Sequence, residues 1–388
     1  MYINENCDIL RLSLGSPSFS NIRDKDKIYV DKTNLIYSMA IHDTPMFISR
    51  PRKFGKTFLL DTIHTLFSNG IECFRGLAIE NLWHDKTYPV VRLDFSGFAS
   101  KSGKAFESAL NRRIISEFCI RDQYLHFNIS DNDLVPSELL HTILKKLPDD
   151  NIVLLIDEYD APLIYHLDKL DEIDNILKIL SDFYSVIKEY TQKFRFIFIT
   201  GVTRASYMSI FSAFNNLIDL TLVQEYNDLL GFTHNELIKF FDPYVKNAAN
   251  ILNISKEDVY TRIKSYYNGF TFSPKSTETV YNPWSILHFL HNPVDGFQNY
   301  WFQSAGVSTL ISKYLKVNNS FDYINNYKYR DIDVAELKFS NQYDIKNIPT
   351  KILLYQAGYL TLSTNGDSLV LIPPNREIEE SSLRFYYS

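Results

Sequence analysis

The sequence predicts an α/β protein built on an open parallel sheet of about five strands with helices on both faces. Short apolar runs alternate with longer segments whose apolar residues recur at helical spacing, a pattern typical of right-handed βαβ units. Polar and charged residues directly follow several runs, and the carboxyl ends of parallel strands are where ligands bind. The predicted strands are 45–49, 89–95, 152–156, 194–200 and 217–222.

The segments between these runs predict the helices. Positions 57–67 and 105–118 carry apolar residues at helical spacing, and 167–191 reads as one long amphipathic helix or a pair of helices. The run 152–156 is apolar throughout, as expected for a central strand that is covered on both faces.

The pattern changes after about position 225. Thr233 followed by Glu236 is a capping box that opens a helix. Helical segments continue to about position 316, and Asn365-Gly366 lies between two β-rich runs as in a hairpin. We therefore predict a helical lid and then a small winged-helix-like module. The predicted domains are a core over 1–225, a lid over 226–300 and a C-terminal module over 301–388.

Bulk composition narrows the function classes. A chain of 388 residues with 45% hydrophobic residues is long enough for two or three packed domains. A net charge of −6 argues against a generally nucleic-acid-binding surface. Three scattered cysteines and the absence of a signal-like or membrane-length apolar run favour a reducing cytoplasm and no membrane association.

A phosphate-binding loop is indicated directly after the first predicted strand. In Gly55-Lys56-Thr57 the glycine lets backbone N–H groups approach phosphate oxygens, the lysine reaches the β- and γ-phosphates, and the threonine hydroxyl takes a place on Mg²⁺. The usual pattern has glycine at the position of Arg50, so the loop begins irregularly. The predicted nucleotide-contacting residues are Arg50, Pro51, Arg52, Lys53, Phe54, Gly55, Lys56, Thr57 and Phe58.

Two carboxylates end the run 152–156. An apolar strand followed by Asp157 and Glu158 is a Walker B pattern, in which Asp157 holds Mg²⁺ together with Thr57. Glu158 would orient and deprotonate the attacking water. The alternative is a buried strand that ends in a solvated acidic turn.

Further polar residues follow the next strand. Thr200 or Thr203 can contact the attacking water or the γ-phosphate, and Arg204 can neutralise charge that develops in the transition state. The alternatives are that Thr200 is only a strand former and Arg204 only a surface salt-bridge partner. Similarly, the basic cluster Arg50, Arg52 and Lys53 either meets the triphosphate or is a solvated loop.

With these residues in place, the chain resembles the bacterial AAA-ATPase-like family over almost its whole length. Family members typically carry Arg-Pro-Arg before Phe-Gly-Lys, which accounts for the irregular loop. The resemblance implies a P-loop NTPase core, a helical lid and a small C-terminal module. The motifs that carry it lie at 29–33, 49–57, 89–96, 155–160, 200–204, 209–216, 231–233, 267–269, 281–284 and 374–377.

The sequence departs from this family in one respect. Members commonly continue past the Pro-Asn-Arg-Glu segment into a nuclease-like domain of the PD-(D/E)xK type, whereas this chain stops at Ser388 without such a motif. The two interpretations are a truncated member and a stand-alone ATPase subunit.

Together these features predict an ATP-binding protein that hydrolyses ATP slowly with Mg²⁺ and moves its lid with nucleotide state. The preference for ATP over GTP rests on the family resemblance. The rival hypothesis is a nucleotide-gated adaptor with little hydrolysis that binds a protein partner or DNA through its C-terminal module, with oligomers allowed. A third option is an inactive remnant, against which the intact Lys56, Thr57, Asp157 and Glu158 argue.

Overall fold

The computed structural model describes nine stretches of the chain. Residues 209, 212, 213 and 215 of the predicted motif 209–216 lie outside them. The described residues are 11–15, 18–119, 134–205, 210–211, 214, 216–304, 307–318, 330–366 and 368–382.

A five-stranded parallel sheet lies at the centre of the first half, as predicted. Its strand order is β2-β3-β4-β1-β5, and every neighbouring pair is parallel. The fifth strand is shorter than predicted, because this edge strand pairs only with Met46 and Phe47. The strands are β1 Met46–Ser49, β2 Val90–Asp94, β3 Ile152–Asp157, β4 Phe194–Gly201 and β5 Ile218–Asp219.

Helices flank this sheet and bury their apolar faces on it. Every residue of β3 is buried, as expected for a central parallel strand. The segment 167–191 contains one long helix, α7, with a buried apolar stripe. The helices are α1 Phe19–Asp24, α2 Thr33–Ala40, α3 Lys56–Asn69, α4 Gly103–Cys119, α5 Pro136–Leu144, α6 Ala161–Tyr165 and α7 Leu170–Glu189.

The strand order brings the predicted functional segments to one edge of the sheet. Strand β4 lies between β1 and β3, with Thr200 opposite Ile48 and Ile199 opposite Ile156. Because all strands point the same way, Asp157, Thr200 and the loop after β1 leave the sheet at the same edge.

The second half is mainly helical. The capping box is confirmed, since the Thr233 hydroxyl accepts from the Glu236 N–H while the Glu236 carboxylate accepts from the Thr233 N–H. Of the described helices, none is both apolar enough and long enough to cross a membrane. The helices of the second half are α8 His234–Leu252, α9 Lys256–Tyr267, α10 Pro283–His291, α11 Tyr300–Gln303, α12 Val307–Asn318, α13 Val334–Lys338, α14 Thr350–Ala357 and α15 Arg376–Ser382.

Two apolar cores hold the described residues together. One core contains residues of the sheet and of the helices that flank it, and it extends to residues after 300. The other core lies mainly between α8, α9 and α10. The predicted hairpin is confirmed by β7 Thr361–Asn365 and β8 Ser368–Ile372, which pair antiparallel, with the short β6 Arg330–Asp331 beside β8. The domain limits at 225 and 300 stay predictions.

Candidate functional site

A cavity of about 600 Å³ opens beside the loop that follows β1. That volume falls in the range of small-molecule and cofactor sites. Its walls come from the N-terminal segment, the loop and α3, Glu158 after β3, and the segments 229–232 and 283–287. Seven of the predicted nucleotide-contacting residues line it, namely Arg52, Lys53, Phe54, Gly55, Lys56, Thr57 and Phe58.

The loop ends at the N-terminus of α3. Gly55, with φ of 99°, is the N-cap residue, and Lys56 is the first residue of this helix of 14 residues. A left-handed backbone at this point suits glycine. The N–H groups at the start of a helix have no partner within the helix, and the helix dipole favours negative charge there. The loop is therefore built to receive an anion.

The Lys56 side chain is buried at the floor of the loop. Its ammonium donates to the carbonyl oxygens of Arg50 and Pro51 at 2.8 and 3.0 Å. Burial lowers the pKa of Lys56, while the neighbouring carboxylates, Glu158 foremost, oppose that shift. The lysine thus braces the loop and places a positive charge in the cavity wall.

Glu158, directly after the carboxyl end of β3, lines the same cavity. Its φ of 51° is in the left-handed region, which is uncommon for a residue other than glycine. Burial raises the pKa of its carboxyl, and the nearby Lys56 ammonium counteracts this rise. A carboxylate with a raised pKa is a better proton acceptor at neutral pH than an ordinary one.

Asp157 lies behind Glu158 with only 2% of its surface exposed. It accepts a hydrogen bond of 2.7 Å from the Thr200 hydroxyl, and the Arg92 guanidinium lies 3.7 Å away. Arg92 also reaches the Thr57 carbonyl oxygen and the Asp61 carboxylate, both at 3.3 Å. Thr200 and Arg92 therefore orient Asp157 relative to the start of α3.

The donor set fits Mg²⁺. The Thr57 hydroxyl and the Asp157 carboxylate are hard oxygen donors on neighbouring elements, and Mg²⁺ on a nucleotide needs only one or two protein ligands beside phosphate and water. Among the described residues there is no cluster of three or more His, Cys, Asp or Glu side chains that could hold a metal by themselves.

The loop after Thr200 is locked by Asp160. This buried carboxylate accepts from the backbone N–H groups of Val202 and Thr203 and from the Thr203 hydroxyl, at 2.6–3.2 Å. Burial raises the pKa of Asp160, and these hydrogen bonds oppose that rise. The Thr203 hydroxyl therefore makes its hydrogen bond within the loop. Thr200 is the threonine that contacts the site, because its hydroxyl donates to Asp157.

Arg204, predicted to neutralise charge that develops in the transition state, makes buried contacts of its own. Its buried guanidinium pairs with Asp219 at 2.7 Å and donates to the Leu337 carbonyl and the Ser340 hydroxyl. It is not among the residues that line the cavity. This arrangement favours a role in joining the sheet to the C-terminal segment rather than direct charge neutralisation.

Arg50 is also placed away from the cavity. It is 1% exposed and donates to the carbonyl oxygens of Ser49, Thr221 and Tyr226, while its guanidinium lies 4.2 Å from the Phe272 ring centroid. Burial lowers its pKa to about 10. Arg50 therefore anchors the start of the loop, which explains why an arginine can replace the usual glycine there.

Residues from the second half of the chain contact the loop and fix its position. The Trp301 indole N–H donates to the Arg52 carbonyl at 2.9 Å, and the Phe54 ring packs edge-on against Phe270 and Phe272. Pro51 is buried, and a Cβ at Gly358 would lie 2.8 Å from its Cβ. The Pro-Arg-x-Phe spacing is thus explained by contacts with distant segments.

Buried Glu377 fixes the Trp301 that holds this loop. Its carboxylate accepts from the backbone N–H of Trp301 at 2.7 Å and from the Ser285 hydroxyl at 2.8 Å. Burial raises its pKa to about 8, although both hydrogen bonds oppose the rise. The folded protein thus holds this proton to higher pH than the unfolded chain, so Glu377 contributes stability that is complete below about pH 4.5 and lost as the pH rises through about 8.

We expect Glu377→Gln to remove this pH dependence. The amide oxygen can still accept from Trp301, and no charge has to be buried above pH 8. The thermal midpoint of the variant should exceed that of the wild type at pH 9, and this advantage should shrink towards pH 5. Calorimetry from pH 5 to 9 measures it, with exposed Glu379→Gln as the matched control. A difference that does not change with pH would contradict the assignment.

A parallel sheet, a lysine loop at a helix N-terminus after β1 and a carboxylate pair at the end of β3 define a P-loop NTPase, a class of nucleotide-binding proteins. The family model described as Predicted AAA-ATPase matches residues 13–211 of 388. The chain therefore belongs to this family, as the sequence motifs indicated.

The chain is also similar to individual proteins. It is 29% identical over 356 residues to a protein of Azotobacter chroococcum mcd 1 described as an uncharacterized protein in the vnfD 5′ region; the match covers 91% of this chain and 64% of that protein's length. The structure of the Aeropyrum pernix ORC2 protein in ADPNP–ADP complexes aligns over 99% of this chain and 98% of its own, with 10% identity and a TM-score of 0.37. A TM-score that low carries no structural argument.

Proposed function

We propose that this chain binds ATP with Mg²⁺ in the 600 Å³ cavity and hydrolyses it. The observation that carries the proposal is that Lys56, at the N-terminus of α3, and Glu158, after β3, line one cavity. A cation and helix N–H groups suit the phosphates, and a carboxylate across the cavity suits the attacking water.

Each residue has a separate task in this proposal. Lys56 and the N–H groups of the loop bind the β- and γ-phosphates, and Thr57 and Asp157 hold Mg²⁺, which when bound neutralises phosphate charge. Glu158 orients the water and accepts its proton. Thr200 acts by fixing Asp157, to which its hydroxyl donates.

The apolar part of the cavity wall suits a base. Apolar side chains from both halves of the chain line the cavity, including Tyr29, Val30 and Phe232. Such walls bind the faces of a purine, and the choice of ATP follows the family. The segments 229–232 and 283–287 line this cavity together with the loop. The first segment precedes α8 and the second lies in α10. We therefore infer that the helices α8–α10 shift with the nucleotide state.

We expect Glu158→Gln to bind ATP but to lose most of its turnover. The amide keeps the shape of the side chain but cannot accept the proton, and loss of a general base costs roughly 10²–10⁴-fold in rate. Phosphate release measures turnover and a fluorescent ATP analogue measures binding. Exposed Glu257→Gln is the control. Wild-type turnover in Glu158→Gln would remove Glu158 from the mechanism.

The same turnover assay separates ATPase from adaptor. A wild-type protein that binds ATP without releasing phosphate, with or without DNA, would favour the nucleotide-gated adaptor. A protein or DNA partner at the C-terminal segment, an oligomeric state and a cytoplasmic location stay predictions from the sequence.

A further inference from the structure

Lys53 occupies a position in the loop that would suit glycine better. Its φ is 67°, in the left-handed region, where a side chain other than glycine is disfavoured. Lys53 and Glu158 both combine such a backbone with a side chain on the cavity. Unfavourable backbone conformations of this kind concentrate at functional sites, which raises the question of what the lysine side chain contributes.

The ammonium of Lys53 lies on a fixed aromatic ring. Its Nζ is 4.0 Å from the centroid of the Trp284 ring at the start of α10. That indole is itself held, because its N–H donates to the Tyr300 carbonyl at 3.1 Å and its ring lies 4.2 Å from the His288 ring. A cation on a ring face is stabilised by the negative face of the ring, and an ammonium has three donors with which to bind other groups.

The charges of the cavity place this ammonium at the phosphate end. Arg52, Lys53 and Glu158 line the same cavity. Burial and then Arg52 lower the pKa of Lys53, whereas Glu158 raises it. Glu158 marks the end of the cavity where the terminal phosphate would be attacked. Among described residues, those of 229–287 that line the cavity carry no charge. Lys53 therefore supplies a cation beside the uncharged face of the cavity that α10 helps to form.

We propose that Lys53 is a ligand of the terminal phosphate and that Trp284 is the ring that holds its ammonium there. The inference rests on the proposed function and specifies one part of it. The contact connects the phosphate loop to α10, so ATP and ADP would differ in how strongly they join these two elements. Since ADP lacks the terminal phosphate, the lysine contributes to the preference for ATP over ADP.

The test compares ATP and ADP dissociation constants, with Mg²⁺ present, for the wild type and Lys53→Gly. Glycine suits a φ of 67°, so the thermal midpoint should stay equal or rise. We expect ATP to bind about 10-fold more weakly and ADP less than about 2-fold more weakly, since one charge-assisted hydrogen bond is lost. Asn253→Gly gives the same backbone change at a φ of 53° outside the cavity lining and should leave both constants unchanged.

Trp284→Leu tests the second half of the proposal. Any effect of this change on binding of the rest of the nucleotide is common to ATP and ADP. The ratio of the ADP dissociation constant to the ATP dissociation constant therefore isolates the contribution of the terminal phosphate. The ratio should fall in Trp284→Leu and should not fall further when that change is added to Lys53→Gly. An unchanged ratio in Lys53→Gly would overturn the inference while leaving nucleotide binding intact, whereas a wild type that binds neither nucleotide would overturn the proposed function.

Discussion

Lys56→Ala is expected to bind ATP at least ~100-fold more weakly than the wild type. In the proposed site the buried Lys56 cation contacts two phosphates, and its loss removes about 3 kcal/mol of binding free energy. The same change also leaves the Arg50 and Pro51 carbonyls without their donor, which weakens the loop. Both consequences act in the same direction, and titration with a fluorescent ATP analogue measures their sum.

A second variant separates charge from packing. Lys56→Met keeps the aliphatic stem that fills the floor of the loop but removes the ammonium, so it should fold and still fail to bind. Lys104→Ala, which removes an exposed lysine at the start of α4, should bind like the wild type. ATP affinity within about 3-fold of the wild type in Lys56→Met would contradict the assignment of the phosphate loop.

Gly269→Ala is expected to be the most destabilising single-methyl change tested in this chain. A Cβ there would lie 1.9 Å from the Pro374 carbonyl oxygen, and the φ of 97° strains any residue other than glycine. The contact is between backbones, and the Asn375 side-chain amide fastens the same two segments by donating to the Asn268 carbonyl at 2.7 Å. We expect the free energy of unfolding to fall by about 3–5 kcal/mol.

Two other glycines calibrate this loss. Gly366 has a φ of 60°, but no atom lies within 4 Å of the place where a Cβ would be, so Gly366→Ala isolates the backbone strain. Gly97 has open space and no left-handed backbone, so Gly97→Ala should be close to neutral. Urea unfolding followed by circular dichroism compares the three. A loss at Gly269 no larger than that at Gly366 would show that the two segments separate easily.

The sheet and the start of α8 were predictable because their signals are local. The apolar run of β3, the strand before the loop and the capping box at Thr233 each depend on a few consecutive residues. The proximity of Lys56 and Glu158 followed from one further rule, that the carboxyl ends of parallel strands share an edge. The short β5 was overestimated, because pairing at a sheet edge leaves little trace in the sequence.

The partners of the Arg50 and Arg204 side chains could not be predicted from the local sequence pattern. Arg50 donates to the carbonyls of Thr221 and Tyr226, and Arg204 to that of Leu337, in segments more than a hundred residues away. A basic residue beside a phosphate loop looks the same whether it faces a ligand or a buried carbonyl. Only the tertiary structure distinguishes these cases.

Arg92 and Trp284 were not predicted to belong to the site. A charged residue among the apolar residues 90–93 was the available signal for Arg92, since its long side chain crosses to Asp157 and α3. Trp284 was known only as part of a motif before an apolar helix. Its place on the cavity depends on how α10 packs beside the loop, which helical periodicity does not determine.

The most direct test of nucleotide binding in this cavity is a crystal structure with Mg²⁺ and a non-hydrolysable ATP analogue. The predicted result has the phosphates at the N-terminus of α3 beside Lys56, the metal between Thr57 and Asp157, and the base among the apolar walls near Tyr29 and Leu230. Nucleotide bound elsewhere on the chain, or no bound nucleotide at saturating concentration, would contradict the account.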